Sequence, residues 1–131
     1  MALSGKKTVL VVDDEEDLLA LLRKNLKADG YTVLAASSGA EALRICKQHT
    51  GAIHLVIVDL VLPGKITGLE LLQRLVSMRP EIKRLCISGY LDEAMFRQEV
   101  PDQDTAFLQK PFTPDELLRT MRTLLDAPRQ A

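Results

Sequence analysis

Five short apolar runs, rich in β-branched residues, recur along the chain and are separated by more polar segments. Runs of this length and composition predict β-strands. Strands buried on both faces have continuous apolar sequences without alternation, which is typical of a parallel sheet covered by helices. The predicted strands are TVLVV (8–12), TVLAA (32–36), HLVIV (54–58), RLCIS (84–88) and TAFLQ (105–109).

The segments between these runs carry apolar residues at helical spacing. Leucines that step by four predict a first helix over about 15–28. Capping-box spacing at Ser38–Glu41 and Thr67–Glu70 predicts the starts of two further helices. A weaker pattern near 92–99 predicts a fourth helix. The fifth begins at Thr113–Glu116, where an N-cap hydroxyl precedes a proline and two acidic residues.

Strict alternation of strands and helices predicts an α/β fold with parallel strands, right-handed crossovers and helices on both faces of the sheet. The 131 residues are enough for one such domain. We therefore expect a single domain over 1–131 with a core over about 7–126, and the terminal DAPRQA is expected to be a frayed end.

Composition excludes several classes of function. With 47% hydrophobic and 27% charged residues and a net charge of −1, the sequence gives no electrostatic support for binding nucleic acid or anionic lipid. It shows neither a membrane-spanning run nor a signal peptide, so we expect a cytoplasmic protein without membrane contact. Cys46 and Cys86 lie in apolar patterns and are expected in the core, while His49 and His54 lack the partners of a zinc site.

Polar residues follow four of the five predicted strands. Asp13 and Asp14 follow the first strand, Asp59 the third, Ser88 ends the fourth, and Lys110 follows the fifth. Ligands of open α/β sheets bind outside the carboxyl ends of the strands. We therefore expect three carboxylates, a hydroxyl and an ammonium at one edge of the sheet.

This set of groups suits phosphoryl transfer. Carboxylates so close together would raise one another's pKa unless cations lie among them. Lys110 supplies one positive charge, and Mg²⁺, which binds carboxylate and phosphate oxygens, would supply more. A carboxylate can attack phosphorus to give an aspartyl phosphate, while metal, lysine and hydroxyl stabilise the transferring oxygens.

Four segments carry a resemblance to the receiver domains of two-component response regulators, over essentially the whole chain. VVDDEED resembles the acidic pair of that family, DLVLPG its phosphoacceptor segment, ISGY its hydroxyl position, and FLQKPFTPDELL its lysine–proline segment. The resemblance implies a flavodoxin-like (βα)5 fold with strand order 2-1-3-4-5. It also implies a signalling module rather than an enzyme, with self-phosphotransfer and autodephosphorylation as its only chemistry.

The resemblance implies a role for each site residue. Asp59 would accept a phosphoryl group from a phosphohistidine on a histidine kinase or a histidine phosphotransfer protein. Asp14 and Asp59 would ligate Mg²⁺ with the backbone carbonyl of Val61, and Asp13 would act largely through water. Lys110 would pair with the phosphoryl group, and the peptide bond that follows it is expected to be cis.

A conformational switch is implied as well. The Ser88 hydroxyl and the Gly89 N–H would close on the phosphoryl group, and Phe107 would fill the space that Ser88 vacates. The surface of the fourth helix, fifth strand and fifth helix would then change, and it offers a possible homodimer contact.

Two departures from the family pattern concern the surroundings of the phosphoacceptor. The loop over 63–68 is one residue longer than the commonest receiver loop. Val61 and Tyr90, two positions beyond Asp59 and Ser88, tune loss of the phosphoryl group in receivers. Neither carries an acid or amide that would position an attacking water, so we expect a long-lived phosphoaspartate.

Alternatives concern both origin and function. The chain is either a stand-alone regulator or the C-terminal receiver of a hybrid sensor histidine kinase, and the longer loop favours the latter. A haloacid-dehalogenase-type phosphatase would need a second aspartate two residues after the first, where the order here is Asp13, Asp14, Glu15. The remaining alternative is a degenerate receiver that acts as a phosphorylation-independent interaction module.

Overall fold

The computed structural model describes residues 7–62, 64–88 and 104–126, and within them the chain forms five strands and four helices. The predicted helix near 92–99 lies outside these residues, as do Gly89 and Tyr90. The elements are β1 (Thr8–Val12), α1 (Glu16–Ala28), β2 (Thr32–Ala36), α2 (Gly39–Gln48), β3 (Leu55–Asp59), α3 (Gly68–Met78), β4 (Lys83–Ser88), β5 (Thr105–Gln109) and α4 (Pro114–Asp126).

The five strands form one parallel sheet in the order β2-β1-β3-β4-β5, which confirms the predicted flavodoxin-like topology. β3 begins and ends one residue later than predicted, because Asp59 itself pairs with Ile87 of β4. β4 begins one residue earlier, because Lys83 pairs with Leu55. The phosphoacceptor candidate is therefore the last residue of a strand and not the first residue of a loop.

Apolar side chains cover both faces of the sheet. On one face Val56 and Val58 of β3 belong to a core that α2 and α3 cover, and on the other Ile57 belongs to a core that α1 and α4 cover. Both cysteines are free and buried, and Cys46 and Cys86 lie in the first of these cores, as predicted. A sheet covered on both sides leaves only its edges for polar chemistry.

Helix caps fix where the helices leave the carboxyl edge of the sheet. Ser38 and Thr67 each accept the backbone N–H three residues on, at 3.1 Å. At α4 the bonds are reciprocal: Thr113 Oγ1 accepts the Glu116 N–H at 3.1 Å, and Glu116 Oε1 accepts the Thr113 N–H at 2.8 Å. None of the helices in the described ranges is long and apolar enough to cross a membrane.

Candidate functional site

The polar residues predicted at the strand ends do meet at one edge of the sheet. In the register Val12 lies opposite Val58, which places Asp13 beside Asp59. Asp13, Asp59 and Ser88 are 1%, 4% and 1% exposed, whereas Asp14 is exposed. The edge thus combines three buried polar side chains with one carboxylate, that of Asp14, which is exposed to solvent.

Three carboxylates form the acidic part of the site. Asp13, Asp14 and Asp59 each offer an oxygen, and these oxygens lie within 4.8 Å of one another. Asp13 Oδ1 accepts the Glu15 N–H at 2.8 Å, but its buried Oδ2 has no hydrogen-bond partner in the described part of the chain. Such an orphaned oxygen beside two further carboxylates fits a hard divalent cation such as Mg²⁺.

The electrostatics of Asp13 agree with that interpretation. Burial raises the pKa of its carboxyl above the ordinary value, and the negative charge of Asp59 raises it further. The hydrogen bond from the Glu15 N–H and the charge of Lys110 act in the opposite direction without cancelling the effect. A cation between these carboxylates would remove the repulsion that the protein alone leaves in place.

Asp59 is held through both of its oxygens. Oδ1 accepts the Val61 N–H at 2.9 Å, and Oδ2 accepts a hydrogen bond from Lys110 Nζ at 2.8 Å. The strand and these two bonds fix the carboxylate at the end of β3, with its charge facing the other acidic residues. The role of Asp59 as the reacting carboxylate stays a prediction.

Lys110 directly follows β5 and contacts Asp59 at the end of β3. Its backbone N–H donates to the Ser88 carbonyl at 3.0 Å, and its bond to Pro111 is cis, as predicted. Burial would lower the pKa of the ammonium, but the hydrogen bond to Asp59 and the charges of Asp59, Asp13 and Glu15 outweigh it and raise the pKa. Lys110 is therefore fully protonated at neutral pH.

Ser88 and Phe107, the predicted switch residues, lie on the neighbouring strands β4 and β5. The Ser88 hydroxyl is buried at the end of β4 without a hydrogen-bond partner among the described residues. Phe107, on β5, lies opposite Cys86 and packs half-buried against the core under α2 and α3. Val61 is 60% exposed, and its contact with Asp59 is the hydrogen bond from its backbone N–H.

Glu15 is a site residue that the sequence interpretation did not assign. Its Oε1 lies 3.5 Å from Lys110 Nζ, although the side chain is 63% exposed. Glu15 is also the N-cap of α1, yet its side chain does not cap the helix. The detectable signal was a third acidic residue directly after the predicted site residues Asp13 and Asp14.

A groove of about 440 Å³ runs beside the site between α1 and the start of α4. Lys110 and Glu15 line both the groove and the site, and Leu21, which is 51% exposed, lies in its wall. The rest of its lining is largely apolar and includes Leu18, Leu22, Phe112 and Leu117. A partner protein would find apolar surface immediately next to Asp59 and Lys110.

Many known proteins resemble this chain in sequence or in fold. Residues 9–122 match the response regulator receiver domain family. The chain is 38% identical over 124 residues to the sensor kinase CckA of Brucella abortus, covering 95% of this chain and 13% of that protein. It is 34% identical to the alkaline phosphatase synthesis regulatory protein PhoP of Bacillus subtilis, covering 91% of this chain and 48% of that protein.

Solved structures agree with the sequence relatives. A CheY-like receiver domain protein from Methanospirillum hungatei superposes with a TM-score of 0.80 at 30% identity, over 92% of this chain and 94% of that one. The receiver domain of the hybrid histidine kinase CckA superposes with a TM-score of 0.77 at 31% identity, over 91% and 99% of the two chains. The chain therefore belongs to the response regulator receiver domain family of two-component signalling.

Proposed function

We propose that this chain is the phosphoacceptor of a two-component system, with Asp59 as the residue that receives the phosphoryl group. One observation carries the proposal: Asp59 is fixed through both oxygens at a sheet edge that also holds two further carboxylates and a lysine. A structural ion pair would need Lys110 and Asp59 alone. The two further carboxylates, one buried and one exposed, fit a cation and a phosphoryl group that would balance their charge.

The donor is a phosphohistidine on a histidine kinase or a histidine phosphotransfer protein. An oxygen of Asp59 attacks phosphorus, the phosphorus–nitrogen bond breaks, and its electron pair stays on the imidazole nitrogen, which then takes up a proton. The apolar groove beside Lys110 gives such a partner a surface next to the reacting carboxylate. We expect the reaction to take place within a protein complex in the cytoplasm. The net charge of −1 gives no support for direct contact with nucleic acid.

Mg²⁺ fits the acidic edge. Asp14, Asp59 and the Val61 carbonyl would hold it directly, and Asp13 largely through water. When bound, it would neutralise charge on the transferring phosphoryl oxygens. Lys110 supplies a further fixed positive charge from the protein side, because its raised pKa keeps it protonated.

After transfer, the protein's own donors hold the phosphoryl group. The Ser88 hydroxyl, which has no other partner in the described ranges, is available to donate to a phosphoryl oxygen, together with the Gly89 N–H. Movement of Ser88 towards Asp59 would let Phe107 fill the vacated space and change the face formed by the predicted fourth helix, β5 and α4. This face is also the candidate homodimer surface.

The lifetime of the phosphoaspartate follows from the groups around it. Val61, exposed beside Asp59, has no side-chain group that would position an attacking water, and Tyr90 has no acid or amide. Slow loss of the phosphoryl group is therefore expected. As for origin, identity to the CckA sensor kinase favours a receiver from a hybrid kinase, in keeping with the longer loop after β3.

The test is intact-mass spectrometry after incubation with acetyl phosphate and Mg²⁺, with Asp59→Asn and Mg²⁺-free samples as controls. Wild type should gain one phosphoryl group, and neither control should gain any. Following the mass after donor removal then measures the lifetime. If wild type binds Mg²⁺ but gains no mass, the chain is instead a phosphorylation-independent interaction module.

A further inference from the structure

Glu15 contributes a contact to the site that the roles assigned above do not use. Its Oε1 lies 3.5 Å from Lys110 Nζ, while Asp59 Oδ2 lies 2.8 Å from the same nitrogen. An ammonium has three N–H donors. Asp59 takes one of them in a hydrogen bond, and Glu15 lies at ion-pair distance, so N–H donors are left for a phosphoryl oxygen.

The Glu15 side chain does not cap the start of α1. Glu15 is the N-cap residue, and its backbone carbonyl accepts the Leu19 N–H at 2.9 Å. Its side chain makes no cap hydrogen bond, although a Ser, Thr, Asp or Asn at this position would stabilise the helix start. The side chain instead extends across the mouth of the site to Lys110.

We infer that Glu15 is a positioning residue that holds the Lys110 ammonium at the mouth of the site throughout phosphoryl transfer. This inference rests on the proposed function. Once Asp59 forms its bond to phosphorus, its carboxyl no longer carries the charge that held Lys110. Glu15 takes no part in the new bond, so among the described residues it is the carboxylate that can contact Lys110 both before and after transfer.

The position of Glu15 at an exposed rim sets the size of the effect. An ion pair of this exposure contributes little, so its loss should lower the maximal rate of phosphorylation about two- to fivefold. Removing a negative charge from the mouth would also ease the approach of an anionic donor. The donor concentration at half-maximal rate should therefore stay unchanged or fall, in contrast to the maximal rate.

The experiment measures phosphorylation rate against acetyl phosphate concentration at saturating Mg²⁺, by intact mass, for wild type, Glu15→Gln, Glu15→Asp and Glu16→Gln. Glu16 is the matched control, because it is exposed, carries the same charge and has no ion-pair partner in the described chain. We expect a lower maximal rate in Glu15→Gln, partial recovery in Glu15→Asp, and no change in Glu16→Gln.

Glu15→Ser separates this role from a structural one. A serine should cap α1, so this variant should melt no lower than wild type and still show the reduced maximal rate. An unchanged maximal rate in Glu15→Gln, or an equal loss in Glu16→Gln, would overturn the inference while the proposed function stands. A wild type that gains no phosphoryl group would overturn both.

Discussion

At the scale of single residues, the buried carboxylate of Asp13 lowers the free energy of unfolding. Asp13 is buried, one of its oxygens has no partner in the described structure, and its pKa is raised by burial and by the charge of Asp59. A raised carboxyl pKa means that the folded protein binds this proton more tightly than the unfolded chain does. Ionised Asp13 therefore destabilises the fold at neutral pH, and the loss is relieved as pH falls through its folded pKa.

We predict that Asp13→Asn stabilises the protein without metal. The asparagine removes the buried charge, keeps an oxygen that can accept the Glu15 N–H, and should gain about 1 kcal/mol, or roughly 3–6 °C in Tm. The gain over wild type should be largest near pH 7 and shrink at lower pH, where wild type protonates. Thermal unfolding across pH in a metal chelator measures it.

Added Mg²⁺ provides the counter-test for Asp13. A cation that binds only the folded state raises the Tm of wild type, and the variant should lose part of that rise, because the water-mediated charge of Asp13 is gone while the direct ligands stay. Asp14→Asn is the matched control, because Asp14 is exposed and its replacement should not stabilise the metal-free protein. Equal Tm values for wild type and Asp13→Asn without metal would contradict the argument.

At the scale of elements, the contact between the end of β3 and the start of α3 matters most for the site. Gly68 is the first residue of α3, and a Cβ there would lie 2.7 Å from both the Cα and the carbonyl oxygen of Leu60. Leu60 directly follows Asp59, and its N–H donates to the Ile87 carbonyl at 2.9 Å. Close backbone packing at Gly68 thus sets the path of the chain just beyond the phosphoacceptor.

Gly68→Ala should be destabilising and should also reduce phosphorylation. The atoms that the new methyl group would meet belong to the backbone and cannot rotate away, so overpacking should cost about 1–3 kcal/mol. Urea denaturation measures the loss, and the acetyl phosphate assay measures the effect on Asp59. Gly51→Ala is the control, because its Cβ would meet only a His49 side-chain atom at 3.4 Å. Similar stability of the two variants would show that the loop adjusts.

At the scale of the whole molecule, a second group of stabilising contacts lies at the edge of the sheet opposite the site. The site occupies the carboxyl edge, while the C-terminal ends of α2 and α3 meet at the other. There Arg79 donates four hydrogen bonds: to Cys46 Sγ and to the carbonyls of Cys46, His49 and Gly51. A cation at the ends of two helices also interacts favourably with their dipoles.

We predict that Arg79→Met lowers stability by about 1–3 kcal/mol, because charged hydrogen bonds to carbonyls are lost, and leaves the phosphorylation rate of the folded protein unchanged. Denaturation and the acetyl phosphate assay on the same preparation test both halves. Arg74→Met should cost far less, because within the described residues Arg74 has a single exposed ion pair, with Glu70 at 3.6 Å. A slower phosphorylation in Arg79→Met would mean that the two edges are coupled.

Local patterns in the sequence were enough to predict the fold class, the starts of the described helices and the five strands, two of them to within one residue. A continuous apolar run such as 55–58 indicates a strand that is buried on both faces. A hydroxyl such as that of Thr113 bonds to a nearby backbone N–H and so marks the start of a helix. Both signals act within a few residues. Sheet order and the grouping of Asp13, Asp59, Ser88 and Lys110 followed from strand alternation and the family resemblance, and the structure places them together.

The contact partners of those residues depend on tertiary packing and could not be predicted from local patterns. Glu15 and Lys110 are 95 residues apart, and the side chain that reaches the ammonium is selected by geometry across two loops, which no local pattern encodes. The same holds for the contact of Gly68 with Leu60 and for the four bonds of Arg79. Periodicity and capping are short-range effects, whereas contacts between distant segments depend on how whole elements pack.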